Sequence, residues 1–172
     1  MNLEDLIDWV VLGIALGLGS AMLFPLKAHS EGVELLVTVG IGKDVAAHQP
    51  FERLGMLGIR CGGPTWKVKT NAGYWLALAE GQKASIFGSL QAEYEVRSAS
   101  GATLSWAFGP AGIQNPDAKL SGHFQFHFTF AAGLVQIGGQ SVRLTWEHFS
   151  NAGIVLPNNG RDIWGLNSAF PL

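Results

Sequence analysis

Gly122-His123-Phe124-Gln125-Phe126-His127-Phe128-Thr129-Phe130-Ala131 alternates without a break. Side chains two apart on a strand share a face. Phe124, Phe126, Phe128 and Phe130 therefore line one side, and His123, Gln125, His127 and Thr129 the other. Two environments produce this pattern. A soluble sandwich would bury the phenylalanines and wet the polar side. A membrane barrel would turn the phenylalanines to lipid and the polar side to its lumen. This segment alone fits both.

Similar segments lie on either side of it. Across Ile86 to Arg97, Ile86, Leu90, Ala92, Tyr94 and Val96 face one way and Ser89, Gln91, Glu93, Glu95 and Arg97 the other. Across Ser141 to Ser150, Val142, Leu144 and Trp146 share a face with His148 and Ser150, while Arg143, Thr145 and Glu147 oppose them. Val33, Leu35, Val37, Val39 and Ile41 form a further apolar row. Weaker alternation predicts strands at 52–61, 66–79, 103–113 and 161–170. Gly62-Gly63-Pro64, Glu80-Gly81-Gln82, Ser98 to Gly101, Asn115-Pro116-Asp117 and Gly138-Gly139 separate them as turns. About eight strands with short connections predict an all-β, eight-stranded antiparallel up-and-down transmembrane β-barrel. Glu93, Glu95, Arg97, Arg143 and Glu147 would pair inside its narrow lumen. Trp66, Trp75, Trp106, Trp146 and Trp164 are candidates for interfacial belts.

Composition limits the function. Of the 172 residues, 14% are charged and 48% apolar, and net charge is −2. No basic stripe interleaved with aromatics points to nucleic acid. One cysteine, Cys61, forbids an intrachain disulfide and reads as a small apolar strand residue.

Residues 1–30 form a separate hydrophobic leader ahead of a barrel domain at 31–172. Trp9 to Leu26 is nearly unbroken apolar sequence. As a helix it would span roughly 27 Å, just under a bilayer core. One reading is a cleaved signal peptide with Ala28-His29-Ser30 as the cleavage region. The other is a retained helix. Glu4, Asp5 and Asp8 precede the run where a signal peptide would carry positive charge. Gly13-x-x-x-Gly17 and Gly17-x-x-x-Ala21 supply a small-residue stripe through which a retained helix could join copies into a homo-oligomer.

The chemistry gathers near the C-terminus. In Trp146-Glu147-His148-Phe149-Ser150-Asn151-Ala152-Gly153, His148 and Ser150 share a face. Their Cα atoms would lie roughly 6.6 Å apart at strand rise. Asp162 opens the next strand on the face of Trp164, Leu166 and Phe170, and antiparallel pairing can bring it beside His148. The expected roles are nucleophile for Ser150, general base for His148 and orienting acid for Asp162. Asn151 and the backbone N–H of Gly153 are candidate oxyanion donors. All three side chains fall on the apolar face, so an ester within the membrane is the expected substrate. Glu147 adjoins His148 but points the other way. His123 and His127, at i and i+4 on a strand, are too far apart to clamp one metal and read as lumen hydrogen-bonding groups.

His148-Phe149-Ser150-Asn151-Ala152-Gly153, followed by Pro157-Asn158 and Gly160, resembles the signature of the outer-membrane lipid A 3-O-deacylases of the PagL type. Weaker likeness runs through Gly73-Tyr74-Trp75 and Phe124 to Gly133, so the resemblance covers residues 31–172. It implies an eight-stranded barrel with a His–Ser–acid triad on its outer wall. It also implies hydrolysis of the 3-linked acyl ester of lipid A in lipopolysaccharide, without metal or cofactor, in the bacterial outer membrane. Carried over, the roles fall on His148, Ser150, Asn151, Gly153 and Asp162. The family acid is usually glutamate, and here it is aspartate. The terminal Phe170-Pro171-Leu172 departs from the usual aromatic ending, and the leader is acidic. The acidic leader, read as retained, and its glycine stripe keep a second reading open: a non-catalytic, membrane-inserting barrel of a secretion assembly or virus particle, anchored and oligomerised by its leader. A third is a soluble β-sandwich or lipid-binding barrel.

Overall fold

The computed structural model describes residues 32–42, 52–76, 83–117, 120–137, 140–156 and 158–172. The leader, with its helix and oligomerisation readings, lies outside these residues. Eight strands follow one another: β1 (Val33–Gly42), β2 (Glu52–Gly62), β3 (Trp66–Leu76), β4 (Ser85–Arg97), β5 (Thr103–Ile113), β6 (Phe124–Ile137), β7 (Gln140–Ser150) and β8 (Arg161–Pro171). Each pairs antiparallel with its neighbour, and β1 pairs with β8, closing the barrel. Closure leaves no unpaired edge, the condition for a sheet in lipid.

The period-two sequences form these strands because their two faces meet different surroundings. Burial alternates residue by residue, most cleanly along β5. The outer face exposes Val39, Ile59, Leu90, Phe108, Phe130 and Leu166 among many large apolar side chains. In water so continuous an apolar surface would drive association. Against lipid it is the ordinary outer wall of a membrane barrel. Among the described residues no helix is long and apolar enough to cross a membrane. Trp66, Tyr94 and Trp106 touch in series, at 4.9 and 4.8 Å between ring centroids, near the β2–β3 and β4–β5 turns. Such a cluster suits one membrane interface. Trp75 departs from the belt expected of it. It points inward and is buried, because it lies on the inward parity of β3.

The lumen is filled in layers. At the turn end, Arg60 is fully buried between Glu34, Glu93 at 2.7 Å and Glu95 at 2.8 Å. Lys67 joins Glu95 at 2.8 Å, and Arg143 approaches Glu93 at 3.4 Å. Buried charges are tolerable only when paired in this way. The expected lumen pairing thus extends to Arg60 and Lys67, while the Arg97 side chain is half exposed and meets Glu95 only at 3.4 Å. The middle layer joins Lys69, Thr129, Gln91, His127 and Glu147 by hydrogen bonds. His127 is a lumen group as expected. His123 instead sits exposed just before β6, its Nδ1 3.0 Å from the Ile113 carbonyl oxygen. At the other end, Leu54, Met56, Trp75, Phe87, Leu120, Phe149 and Ile163 form an apolar plug. Trp75 stacks on Phe87 at 4.9 Å, and Phe149 meets both edge-on. Cys61 lies in β2 and is exposed.

Candidate active site

The plug end carries the connection from β7 to β8. The ladder there pairs His148 directly with Asp162 and Phe149 with Arg161. Residues paired this way have Cβ atoms about 5 Å apart, close enough for even a short acid to reach. Asp162 Oδ1 lies 2.8 Å from His148 Nδ1. A carboxylate only accepts, so Nδ1 carries the hydrogen and Nε2 is left with its lone pair. His148 is 31% exposed and Asp162 53% exposed, both on the outer wall.

Two further contacts fix the imidazole. Trp146, two residues back on the same face, stacks beside it at 5.6 Å. Gly160 closes over it from the loop. A Cβ on Gly160 would fall 2.9 Å from His148 Cε1, and the φ of +66° also favours glycine.

Ser150 ends β7 on the same face as His148 and pairs with Phe126 of β6. Among the described residues its hydroxyl makes no hydrogen bond, to His148 or to any other group. Contacts between nucleophile and base are often loose before substrate binds.

Asn151 organises the turn that follows. It is buried, and its Nδ2 donates to the carbonyls of Ser121 and, at 2.8 Å, Val155. Its Oδ1 accepts from Gly153 N–H at 2.9 Å, and its own N–H donates to Asn158 Oδ1 at 3.1 Å. Ala152 and Gly153 both take left-handed conformations, φ 53° and 80°. Alanine in this region costs about 1 kcal/mol or more, which the surrounding bonds must offset. Both amide hydrogens of Asn151, and the Gly153 N–H, are thus engaged within the loop. Beyond them, Ile154 and Leu156 project as an exposed apolar tip.

Arg161 anchors the start of β8. It is buried, bonded to Asp117 at 2.7 Å and set over the Trp75 ring at 4.8 Å. This ties the β5–β6 connection to the strand that carries Asp162.

A second row of serine, histidine and carboxylate lies inside the barrel. Ser89 Oγ is 2.9 Å from His127 Nδ1, and His127 Nε2 is 2.8 Å from Glu147 Oε2. His127 is fully buried beneath Phe149, whose ring stacks on it at 4.0 Å. No substrate reaches it there, so it serves the fold.

The structure therefore brings His148 and Asp162 into contact and puts Ser150 two residues on along the same face, while Asn151 and Gly153 are bonded to each other in the loop that follows. Sequence reasoning gave no role in the site to Gly160, quoted only within the signature, to Asp117, quoted only within a turn, or to Ser121 and Arg161. Gly160 had a signal in the Asn158-Asn159-Gly160 turn. The Ser121 contact is made 30 residues away through a backbone carbonyl, which no side-chain pattern encodes.

Residues 55–171 match the family model of the lipid A 3-O-deacylases, PagL. The chain belongs to that family. Membership makes the coarse activity that of a lipid A deacylase-like enzyme of the bacterial outer membrane. The crystal structure of the outer-membrane enzyme PagL superposes with a TM-score of 0.59 at 24% identity, covering 81% of this chain and 99% of that one. A de novo designed transmembrane β-barrel gives 0.53 at 9% identity, covering 81% and 95%. These two likenesses speak to the barrel fold. No curated protein matches the chain. The lipid A deacylase family and the barrel both point to an outer membrane, and neither points to a virus particle.

Proposed function

We propose that this lipid A deacylase-family barrel hydrolyses an ester-linked acyl chain of lipopolysaccharide through Ser150, His148 and Asp162. The carrying observation is the 2.8 Å pair of His148 and Asp162 on the outer wall beside Ser150. Its location suits an ester whose acyl chain stays in the membrane.

Ser150 Oγ attacks the ester carbonyl carbon as its proton passes to His148 Nε2. Asp162 accepts the Nδ1 hydrogen bond and stabilises the imidazolium. The tetrahedral intermediate collapses, the bond between the acyl carbon and the sugar oxygen breaks, and His148 returns the proton to that oxygen as the alcohol departs. Water then attacks the acyl-serine by the same route. It releases the fatty acid and restores the Ser150 hydroxyl.

The oxyanion needs donors. Asn151 follows Ser150 directly and Gly153 lies three residues on, and they are proposed for this side of the site in different capacities. Gly153 N–H would exchange its bond to Asn151 Oδ1 for the developing oxyanion. Asn151, with its amide held by two carbonyls, would keep that N–H in position. The exposed Ile154–Leu156 tip supports the reading, because it can dip among acyl chains beside the reacting ester.

Mass spectrometry of lipid A after incubation with the protein tests the proposal. Loss of one hydroxyacyl chain is expected. If lipid A is recovered intact from a folded barrel, the non-catalytic reading takes its place.

A further inference from the structure

The outer wall has a groove where two neighbouring strands carry no side chains. Gly88 on β4 pairs with Gly112 on β5, and both face outward. Next along β5 is Pro110, which cannot donate to the ladder. The β4–β5 pairing lapses there, at Leu90 and Gln91 opposite Gly109 and Pro110. The result is an open groove of about 500 Å³, walled by Leu90 and Phe124 and capped by His123. The groove is shallow and open along its length, so an occupant would keep one side in the surrounding lipid.

The groove lies across the ladder from the reacting serine. Ser150 pairs with Phe126, and Phe126 with Pro110. Two strand spacings, about 10 Å, therefore separate Ser150 from the groove floor. Between them stands Phe126, stacked on Phe108 at 5.5 Å and edge-on to Phe124 at 5.2 Å. This aromatic ridge divides the wall into two tracks.

A chain undergoing cleavage must hold its carbonyl carbon against Ser150, so its track lies on the β7 side of the ridge. We propose that the β4–β5 groove holds a second acyl chain of the same lipid, one that the enzyme leaves attached. This rests on the esterase reading above. The polarity order fits a chain descending from a headgroup: His123 at the loop end, then Phe124, Gly112 and Pro110 toward the membrane interior. A protein strand is disfavoured, since the closed barrel has no edge to extend. A narrow methylene chain is the shape that a floor of glycine and proline accepts.

The groove can be filled without disturbing the fold. A Cβ on Gly112 would meet nothing within 4 Å, and one on Gly88 only the Asn71 carbonyl oxygen at 3.8 Å. Gly55 on β2 is a matched control, outward-facing with nothing within 4 Å. Gly112→Leu, Gly88→Leu and Gly55→Leu are compared in mixed micelles on two substrates: multiply acylated lipid A and a single-chain p-nitrophenyl dodecanoate. Against Gly55→Leu, the groove variants should lose about tenfold in kcat/KM on lipid A, mostly through KM. Their rates on the single-chain ester should stay within about twofold. Equal loss on both substrates would overturn the proposal, because the groove would then hold the chain being cleaved. No loss on either would also overturn it, leaving at most a bystander lipid in the groove. If wild-type protein hydrolyses neither substrate, the esterase reading fails and the groove assignment goes with it.

Discussion

Asp162 stands directly across the β7–β8 ladder from His148, with its Oδ1 2.8 Å from the imidazole Nδ1. The reach of a residue one methylene shorter than glutamate is thereby set by strand register. Asp162→Asn should lower the deacylation rate on the order of a thousandfold or more, by presenting an amide to Nδ1 and favouring the wrong tautomer. Asp162→Glu should lose only about ten- to a hundredfold, because the longer acid must fold back to the same ring atom. Single-turnover rates on lipid A in micelles distinguish the two. Equal rates for Asp162→Asn and wild type would remove Asp162 from the mechanism.

Ser150→Ala and His148→Asn should each abolish release of the hydroxyacyl chain, a loss on the order of a thousandfold or more. Both side chains lie on the outer wall outside the packed lumen, so both variants should keep the heat-modifiable gel mobility of a folded barrel. Full activity in either variant contradicts the role given to it.

Gly160→Ala should be worse than its size suggests. The new methyl falls 2.9 Å from His148 Cε1 at a backbone φ of +66°. Gly101→Ala is the comparison, with φ +85° but open space around the added atom. Both carry a strain of about 1 kcal/mol. Only Gly160→Ala should also displace the imidazole and depress turnover, which paired melting and activity measurements would separate.

Asn151→Ala leaves the carbonyls of Ser121 and Val155, and the Gly153 N–H, without their side-chain partners. Gly153 and Val155 are exposed and water can replace the lost bonds there, so a cost of about 1 kcal/mol per bond loosens the loop rather than the barrel. The expected outcome is faster protease cleavage and hydrogen exchange within 151–158, with kcat reduced and the barrel's melting unchanged. Unchanged loop protection would mean that Asn151 does not anchor the turn.

Arg60→Met removes the shared cation of Glu34, Glu93 and Glu95. Lys67 and Arg143 still meet Glu95 and Glu93, so the cost should fall at or below the roughly 3–5 kcal/mol of a broken buried pair. Urea unfolding in lipid vesicles would register this as a lower midpoint. An unchanged midpoint would mean that the charges are not effectively buried.

Strand count and facing were legible because lipid outside and a crowded lumen inside impose opposite demands on alternate residues. His148, Ser150 and Asp162 were legible for the same reason, since parity assigns each to the outer face. Trp75 was not, because an inward tryptophan in a plug and an outward one in a belt both follow good strand sequence. Arg60 escaped notice within Leu57-Gly58-Ile59-Arg60-Cys61, where a single charge gives no alternating row. The loop was least legible: Asn151 acts through backbone carbonyls of Ser121 and Val155, so its partners have no sequence signature.

The layered interior has a consequence for the cell that would carry this protein. Arg60 and its carboxylates seal one end, the Trp75–Phe87–Phe149 rings the other, and a cavity between them measures about 10 Å³, room for about one water molecule. Among the described residues the lumen is filled by side chains, and the proposed chemistry lies outside it. The barrel should conduct no current in a planar bilayer, so an outer membrane could hold many copies and still exclude ions and small toxic solutes.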